Sequence, residues 1–429
     1  MIARHRASAR AVGARRGIVV GPSRRGAGAC ALAAFVLAAA SPSLARDSGW
    51  WGFRGDGRSV ADEPLPLTWS VESGENVAWQ ADLPGRGVSG PIVVGDRVVV
   101  TCSSGANRDR LHVIAFDAGS GKQLWHRQFW AVGRTLVHET SAVAANTPAS
   151  DGERIFAFFS SNDLYALDLD GNLLWMRGLT LNHPLAGNDI GMSSSPVVVG
   201  GVVVVQSEAH AASFVEAFDV RTGETRWSAE RTRDATWCSP VAVRQTVAGE
   251  PTDAVLLQAG QGVELRRAAG GEVLWRLDLE CETIPSAVAE DRIYVPSGGL
   301  RAIAWDGRTS APEVVWQDAG LQPGSPSPVI YRGHAYVVNS AGVLARASVQ
   351  DEKTDWKLRL GGRFWATPVA AGNHLYCINS EGKAFVVELG EKGRIVGETE
   401  FGEDILASPA VSNGALYVRS HGRLWKIAR

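Results

Sequence analysis

Methionine is nearly missing from this 429-residue chain, with 3 in all, and cysteine is scarce at 5. None of the cysteines lies in a CxxC or CxxCH pattern, which excludes a covalently attached c-type haem. The nine histidines form no HxH or HxxxH pair, so no local zinc site is expected. A GxSxG nucleophile elbow is missing too, because Gly87-Val88-Ser89-Gly90 runs into Pro91. Long apolar runs are absent: Ala27 to Ala40 spans 14 residues, too few to cross a bilayer. Hydrophobic content of 45% beside 21% charged residues excludes disorder of the whole chain.

Acidic residues are absent from the first 45 positions. Arg4, Arg6, Arg10, Arg15, Arg16, Arg24 and Arg25 instead precede the apolar run, and Ser43-Leu44-Ala45 supplies small residues at −3 and −1 of a cleavage site. Residues 1–45 therefore read as a secretory signal peptide cut after Ala45, which places the mature protein in the periplasm. Arg15-Arg16 leaves general and twin-arginine export both open. Cys30 lies inside the run and not at its end, so a lipoprotein box is absent. Seven of the 43 basic residues fall in this leader; the other 36 face 45 acidic residues, a net charge of −9. No basic footprint for nucleic acid is left. The four remaining cysteines, Cys102, Cys238, Cys281 and Cys377, admit three pairings in an oxidising compartment. A bridge between Cys238 and Cys281 is one of them.

Tryptophan is what the chain has in excess, with 15 against 6 Tyr and 12 Phe. A repeat explains most of them. Pro91, Pro148, Pro196, Pro240, Pro285, Pro328, Pro368 and Pro409 recur about every 45 residues. Each opens an apolar stretch, followed by a polar turn such as Gly95-Asp96 and a second apolar strand. A third strand then ends in an Asp turn, as in Phe116-Asp117-Ala118-Gly119-Ser120-Gly121, and a fourth carries a Trp. The closing residues are Trp125, Trp175, Trp227, Trp275, Trp316 and Trp356, while repeat seven has none. Four short strands per unit with turns every 8–12 residues predict an all-β fold. Eight such four-stranded antiparallel sheets bury their faces by radial packing, which is an eight-bladed β-propeller. Repeat eight runs out after three strands, and Asn76-Val77-Ala78-Trp79-Gln80 supplies the missing fourth. The chain thus divides into residues 1–45, an N-terminal extension 46–75, and a propeller 76–429 closed by an N-terminal strand.

The small residue-Pro start, the Asp-x-x-(Thr/Ser)-Gly turn and the closing Trp resemble the pyrroloquinoline-quinone-type (PQQ-like) repeat over nearly all of residues 76–429. The opening Trp50-Trp51-Gly52-Phe53-Arg54-Gly55-Asp56-Gly57 and His138-Glu139-Thr140 resemble exported bacterial PQQ-like propellers, a group similar to the BamB-type outer-membrane assembly factor. That resemblance implies the fold and leaves function open, since the repeat serves enzymes and scaffolds alike. In PQQ-dependent alcohol dehydrogenases it implies a vicinal cysteine pair, a Trp under the quinone and a Glu/Asn/Asp calcium set. No adjacent cysteines occur here.

Two short motifs imitate ligand loops. Gly119-Ser120-Gly121-Lys122 lacks the first glycine of a phosphate loop, and Asp168-Leu169-Asp170-Gly171-Asn172 lacks the distal Glu of a calcium loop. Both fall on the repeat's hairpin turn, so no metal is expected. The third residue before each proline lines the channel mouth, and there Trp237 and Trp365 break a run of smaller residues. They are candidates for stacking a planar ligand or for plugging the funnel, with Glu282, Arg363, Asn188 and Asp189 as polar neighbours. The longest inter-repeat loop, roughly 129–146, carries His138 and Glu139; the first reading is a loop that packs over the channel mouth, and it is also the best single candidate for a functional insertion. The leading expectation is an exported, monomeric, non-catalytic scaffold that binds a protein partner or envelope component without a cofactor. Two alternatives stand beside it: a periplasmic quinoprotein dehydrogenase using PQQ and Ca²⁺, and a carbohydrate- or envelope-binding module.

Overall fold

Each small residue-Pro step starts an innermost strand, and the polar turn that follows sends the chain outward. In the first blade this gives Ile92–Val94, Arg97–Ser104, Arg110–Asp117 and Gln123–Trp130, paired in that order and all antiparallel. The computed structural model describes residues 49–187, 189–308, 311–351 and 353–429, so the proposed leader and Asn188 lie outside the described residues. Within the unit Arg46–Arg429, eight sheets form, seven of four strands and one of five. The N-terminal strand Val77–Asp82 pairs antiparallel with Arg423–Ile427 and completes the last blade, as its sequence required. Closure in this way leaves no open edge between the chain ends. The structure is the all-β, eight-bladed propeller that the repeat predicts.

The core is not central but lies between blades. One apolar cluster joins blades 1 and 2 through Leu111, Val113 and Ala115 against Ile155 and Ala157. Equivalent clusters follow around the ring. Closing tryptophans fasten these interfaces. The indole Nε1 of Trp79, Trp125, Trp175 and Trp227 donates to the carbonyl of Ala118, Leu169, Val220 and Ala268, each in the hairpin turn of the next blade. The ring lies flat on that turn's glycine. A Cβ on Gly271 would sit 2.6 Å from Trp227, and the backbone there is left-handed at φ +76°. Only glycine therefore permits the contact. Loss of one such buried indole costs about 3–5 kcal/mol.

Blade 7 lacks its tryptophan for a physical reason. Gly397 occupies the equivalent position opposite Val386, at the same register shift that places Trp356 opposite Arg346. Its next neighbour is the seam blade, which has no third-to-fourth hairpin turn to receive an indole. Instead the N-terminal extension fills the space, with the Leu67 carbonyl 2.0 Å from where a Gly397 Cβ would be. Trp69 packs there against Phe401.

A second device runs around the channel. The backbone N–H of the Ser/Thr at the start of an inner strand, which directly precedes the proline except in blade 5, donates to the equivalent hydroxyl of the next blade: Thr147 to Ser195, Ser195 to Ser239, Ser239 to Ser286. The chain continues from Ser286 to Ser327, Thr367 and Ser408. Blade 1 has Gly90 at this position, which donates to Thr147 but offers no hydroxyl to Ser408. At that seam the buried guanidinium of Arg419 takes over. It donates to Ser420 O, Ser89 Oγ, Thr101 O, Cys102 Sγ and His421 O, tying blade 8 to blade 1.

The extension also crosses the channel. Trp50 bridges to Val93 in blade 1, and Trp51 O accepts from Ser150 N in blade 2. Arg54 then reaches Ala287 of blade 5, and Val60–Ala61 adds a parallel strand to the free inner edge of Val369–Ala371 in blade 7. One end of the channel is thereby closed.

Candidate functional site

The opposite mouth is formed by the segments that precede the inner strands. Trp237 and Trp365 are both found there, but they are not a pair. Trp237 is half-buried, with its Nε1 donating to Gly191 O at 2.8 Å, so it braces the loop between blades 2 and 3. Trp365 is 43% exposed and points its ring to solvent from blade 7. No ring contact links them among the described residues.

In blade 5 the sequence alignment on Pro285 is corrected by two residues. Ser286, not Ile284, carries the hydroxyl that receives the Ser239 N–H, so Ala287 takes the proline's place. The mouth-lining position is consequently the exposed Ile284 and not Glu282. Glu282 lies further out, its carbonyl accepting from Gln258 Nε2. The same shift explains the cysteines. Cys238 donates to the carbonyls of Glu282 and Pro285, while Cys281 donates to Leu279 O; both are free thiols, and the bridge between them is not formed. Arg363 is exposed at the mouth, with its carbonyl receiving the Ser380 N–H.

The 129–146 loop tells a different story. It meets the 179–191 loop of the next blade, and the two are tied by a His138 N–H bond to Ile190 O and an Arg134–Asp189 ion pair at 2.6 Å. Both partners of that pair are exposed, so it contributes at most about 1 kcal/mol. The strong supports lie underneath. The turn Ser161-Asn162-Asp163 in blade 2 sends Asn162 Nδ2 to Ala186 O and accepts Val132 N–H on Asp163 Oδ2. Burial raises the Asp163 carboxyl, offset by hydrogen bonds from Ser161, Val132 and Gly133. His183 stacks on Phe214 with ring centroids 3.9 Å apart and reaches Glu216, which anchors the second loop to blade 3. The Glu139 carbonyl receives Arg86 Nη2.

On this rigid base stand six large apolar side chains in solvent. Trp130, Val132, Leu136, Leu181, Leu185 and Ile190 are all exposed, with Leu181 at 77%. Soluble surfaces rarely concentrate apolar groups in this way without a partner. Sequence reasoning found the first loop through its length but missed Trp130, Leu181 and Leu185. For Leu181 and Leu185 a signal was available, since both are apolar residues outside the repeat's strand pattern and close to Asn182 and Gly187; Trp130 ends the strand Gln123–Trp130 and gave none. Among the described residues no group of three or more His, Cys, Asp or Glu could hold a metal.

Comparison with known proteins agrees with this architecture. The family model for outer membrane protein assembly factor BamB matches residues 41–190 and 259–389. The outer membrane protein assembly factor BamB of Bordetella pertussis is 24% identical over 369 residues, covering 81% of this chain and 85% of that protein. Quinohemoprotein alcohol dehydrogenase ADH IIB of Pseudomonas putida is 29% identical over 207 residues, which is 46% of this chain but only 28% of that enzyme. Among solved structures, BamB from Moraxella catarrhalis superposes with a TM-score of 0.59 at 15% identity, covering 82% of this chain and 97% of that one. A europium-containing methanol dehydrogenase gives 0.65 at 12% identity, covering 90% and 99%. The two structural likenesses are of fold alone. The family match spans more than half of the sequence, and the chain belongs to the PQQ-repeat propellers of the outer membrane protein assembly factor BamB family.

Proposed function

We propose that this protein is an exported, non-catalytic scaffold of outer-membrane protein assembly, which docks a protein partner through the paired loops 129–146 and 179–191. The observation that carries this reading is the exposure of Trp130, Leu136, Leu181 and Leu185 on loops held rigid by Asn162, Asp163 and His183. Rigid apolar anchors with a charged rim, here Arg134 and Asp189, are what hot spots of protein interfaces require. The relationship to the Bordetella assembly factor supports the choice of partner class. On this reading residues 1–45 are a cleaved leader and the mature chain works as a monomer in the periplasm.

The dehydrogenase reading draws on the partial likeness to the quinohemoprotein enzyme, and the residues here do not fit the quinone. Cys102, Cys238, Cys281 and Cys377 are not vicinal, so the cysteine pair that the quinone-dependent alcohol dehydrogenases imply is missing.

Co-purification from envelope membranes tests the proposal. The wild type is expected to retain a component of the outer-membrane assembly machinery, and a Leu181→Ser/Leu185→Ser variant to lose it while melting at the same temperature. Dye reduction with an alcohol after incubation with PQQ and Ca²⁺ would instead favour the enzyme. Retention on purified cell wall, abolished by Trp365→Ala, would favour the carbohydrate-binding alternative.

A further inference from the structure

The outer edges of the eight blades are not alike. Gln123–Trp130 of blade 1 has eight residues, whereas the outer strands of the other blades have six or seven. In blades 3 to 8 that strand carries acid: Glu230, Asp278, Glu313, Asp355, Glu398 and Asp82 in turn. Charge on an open edge discourages pairing with another strand. Blade 1 has no acid there, and its Arg127 turns Nε to Gly171 O of blade 2. Leu173–Gly178 of blade 2 also lacks an acid but has only six residues.

The blade 1 edge also presents its main chain. Ala131 N–H bonds Asp109 O, and Trp130 stands opposite Arg110 in the register. The bonded positions of this antiparallel ladder are therefore Ala131, Phe129 and Arg127. The N–H and C=O groups of His126, Gln128 and Trp130 point away from the sheet. Gln123–Trp130 is the last strand of its blade, so no further strand receives them. The Trp130 carbonyl takes the Tyr165 hydroxyl.

The side chains beside the edge set the chemistry of what fits. Trp125 and Phe129 face blade 2, where Phe129 stacks on Tyr165 with ring centroids 4.2 Å apart. Arg127 shares that face. On the other face Arg110 lies over the exposed Trp130 ring, 5.6 Å from its centroid. Arginine thus flanks the edge on both faces of a strand without acid.

We infer that blade 1 accepts a fifth strand at this edge, supplied by an extended segment of the docked protein. That segment carries a large apolar residue toward Phe129 and acidic residues toward Arg127 and Arg110. The inference rests on the reading of the 129–146 loop as a docking surface, into which Gln123–Trp130 runs directly, and it names main-chain pairing as the means of holding the partner.

Gln128→Pro deletes one outward N–H and leaves the blade's own ladder intact, while Gln128→Ala removes only a side chain. The mature protein is mixed with a short synthetic peptide of alternating Glu and Val, and amide exchange is followed by mass spectrometry. The peptide should slow exchange in residues 124–130 and leave the outer strands of blades 3 to 8 unchanged. Gln128→Ala should bind it like the wild type, Gln128→Pro about tenfold more weakly, and a Lys-Val peptide should give no protection. Unchanged exchange in residues 124–130, equal protection of all outer strands, or full binding by Gln128→Pro would overturn the inference. If Gln128→Pro fails to fold, the wild-type exchange map still decides. Envelope co-purification separates this inference from the reading it rests on. A component kept by Gln128→Pro but lost from Leu181→Ser/Leu185→Ser would overturn the added strand and leave loop docking standing. No component on the wild type would defeat the docking reading, and with it the partner named here.

Discussion

Replacing Gly271 by alanine puts the inter-blade fastening to a quantitative test. Gly333 is the control, because both glycines have nearly the same backbone, φ +76° and +73°, but different surroundings. A Cβ on Gly333 meets nothing within 4 Å. Gly333→Ala therefore costs only the left-handed conformation, about 1–2 kcal/mol, reduced by the stiffer unfolded chain to about 1 kcal/mol. A Cβ on Gly271 lies 2.6 Å from the Trp227 ring, so the indole must leave its seat. That adds the Trp227–Ala268 hydrogen bond, about 1 kcal/mol, and roughly half of a buried tryptophan, about 2 kcal/mol. The total for Gly271→Ala is about 4 kcal/mol, some 3 kcal/mol beyond the control. Urea unfolding followed by circular dichroism and by tryptophan fluorescence measures both. In a Trp227→Ala background, Gly271→Ala should fall to the cost of the control, which is the coupling that a double-mutant cycle isolates. Equal costs for Gly271→Ala and Gly333→Ala in the wild-type background would refute the stacking argument.

Other consequences follow from buried charge. Glu264 is pushed up by burial but pulled down further by Arg266, Arg231 and Arg276, which all contact it. Glu264→Gln should destabilise by about 3–5 kcal/mol, because it strands buried guanidinium groups; the urea midpoint checks it. The pKa of His112 is lowered to about 4, first by burial and then by His126 and Arg110, and its Nδ1 lies 2.9 Å from His126 Nε2. The unfolded chain binds the extra proton below pH 6.5 and the folded one does not until about 4, so stability falls as pH drops through that window. The loss is roughly 2 kcal/mol after allowance for solvent screening, and His112→Gln should flatten the curve of melting temperature against pH. Disrupting the exposed Arg134–Asp189 pair by Asp189→Ala should change the melting temperature by less than about 2 °C.

Much of the fold was legible because the repeat writes it eight times over. The strand containing Trp79 could be assigned to the far end of the chain, since only a fourth strand was missing there. Repeat seven's lost tryptophan was visible but not explicable, because Gly397 answers to Leu67, some 330 residues away in sequence. Repeat five misled for a similar reason. The proline marks the strand start, but the physical constraint is the hydroxyl ring, and Ser286 satisfies it from two residues later. Loop contacts were the least readable. His138 and Asp189 were singled out, but the pairing of their loops depends on the Asn162 turn and the His183–Phe214 stack, which no local pattern announces.

The central claim, that the paired loops are the docking surface, is tested most directly by site-specific photo-crosslinking in the envelope of living cells. A photoreactive side chain at Leu185 should capture a component of the outer-membrane protein assembly machinery, whereas one at the equally apolar, exposed Val315 of blade 5 should not. Capture at Val315 but not at Leu185, or no assembly component at either position, would contradict the account.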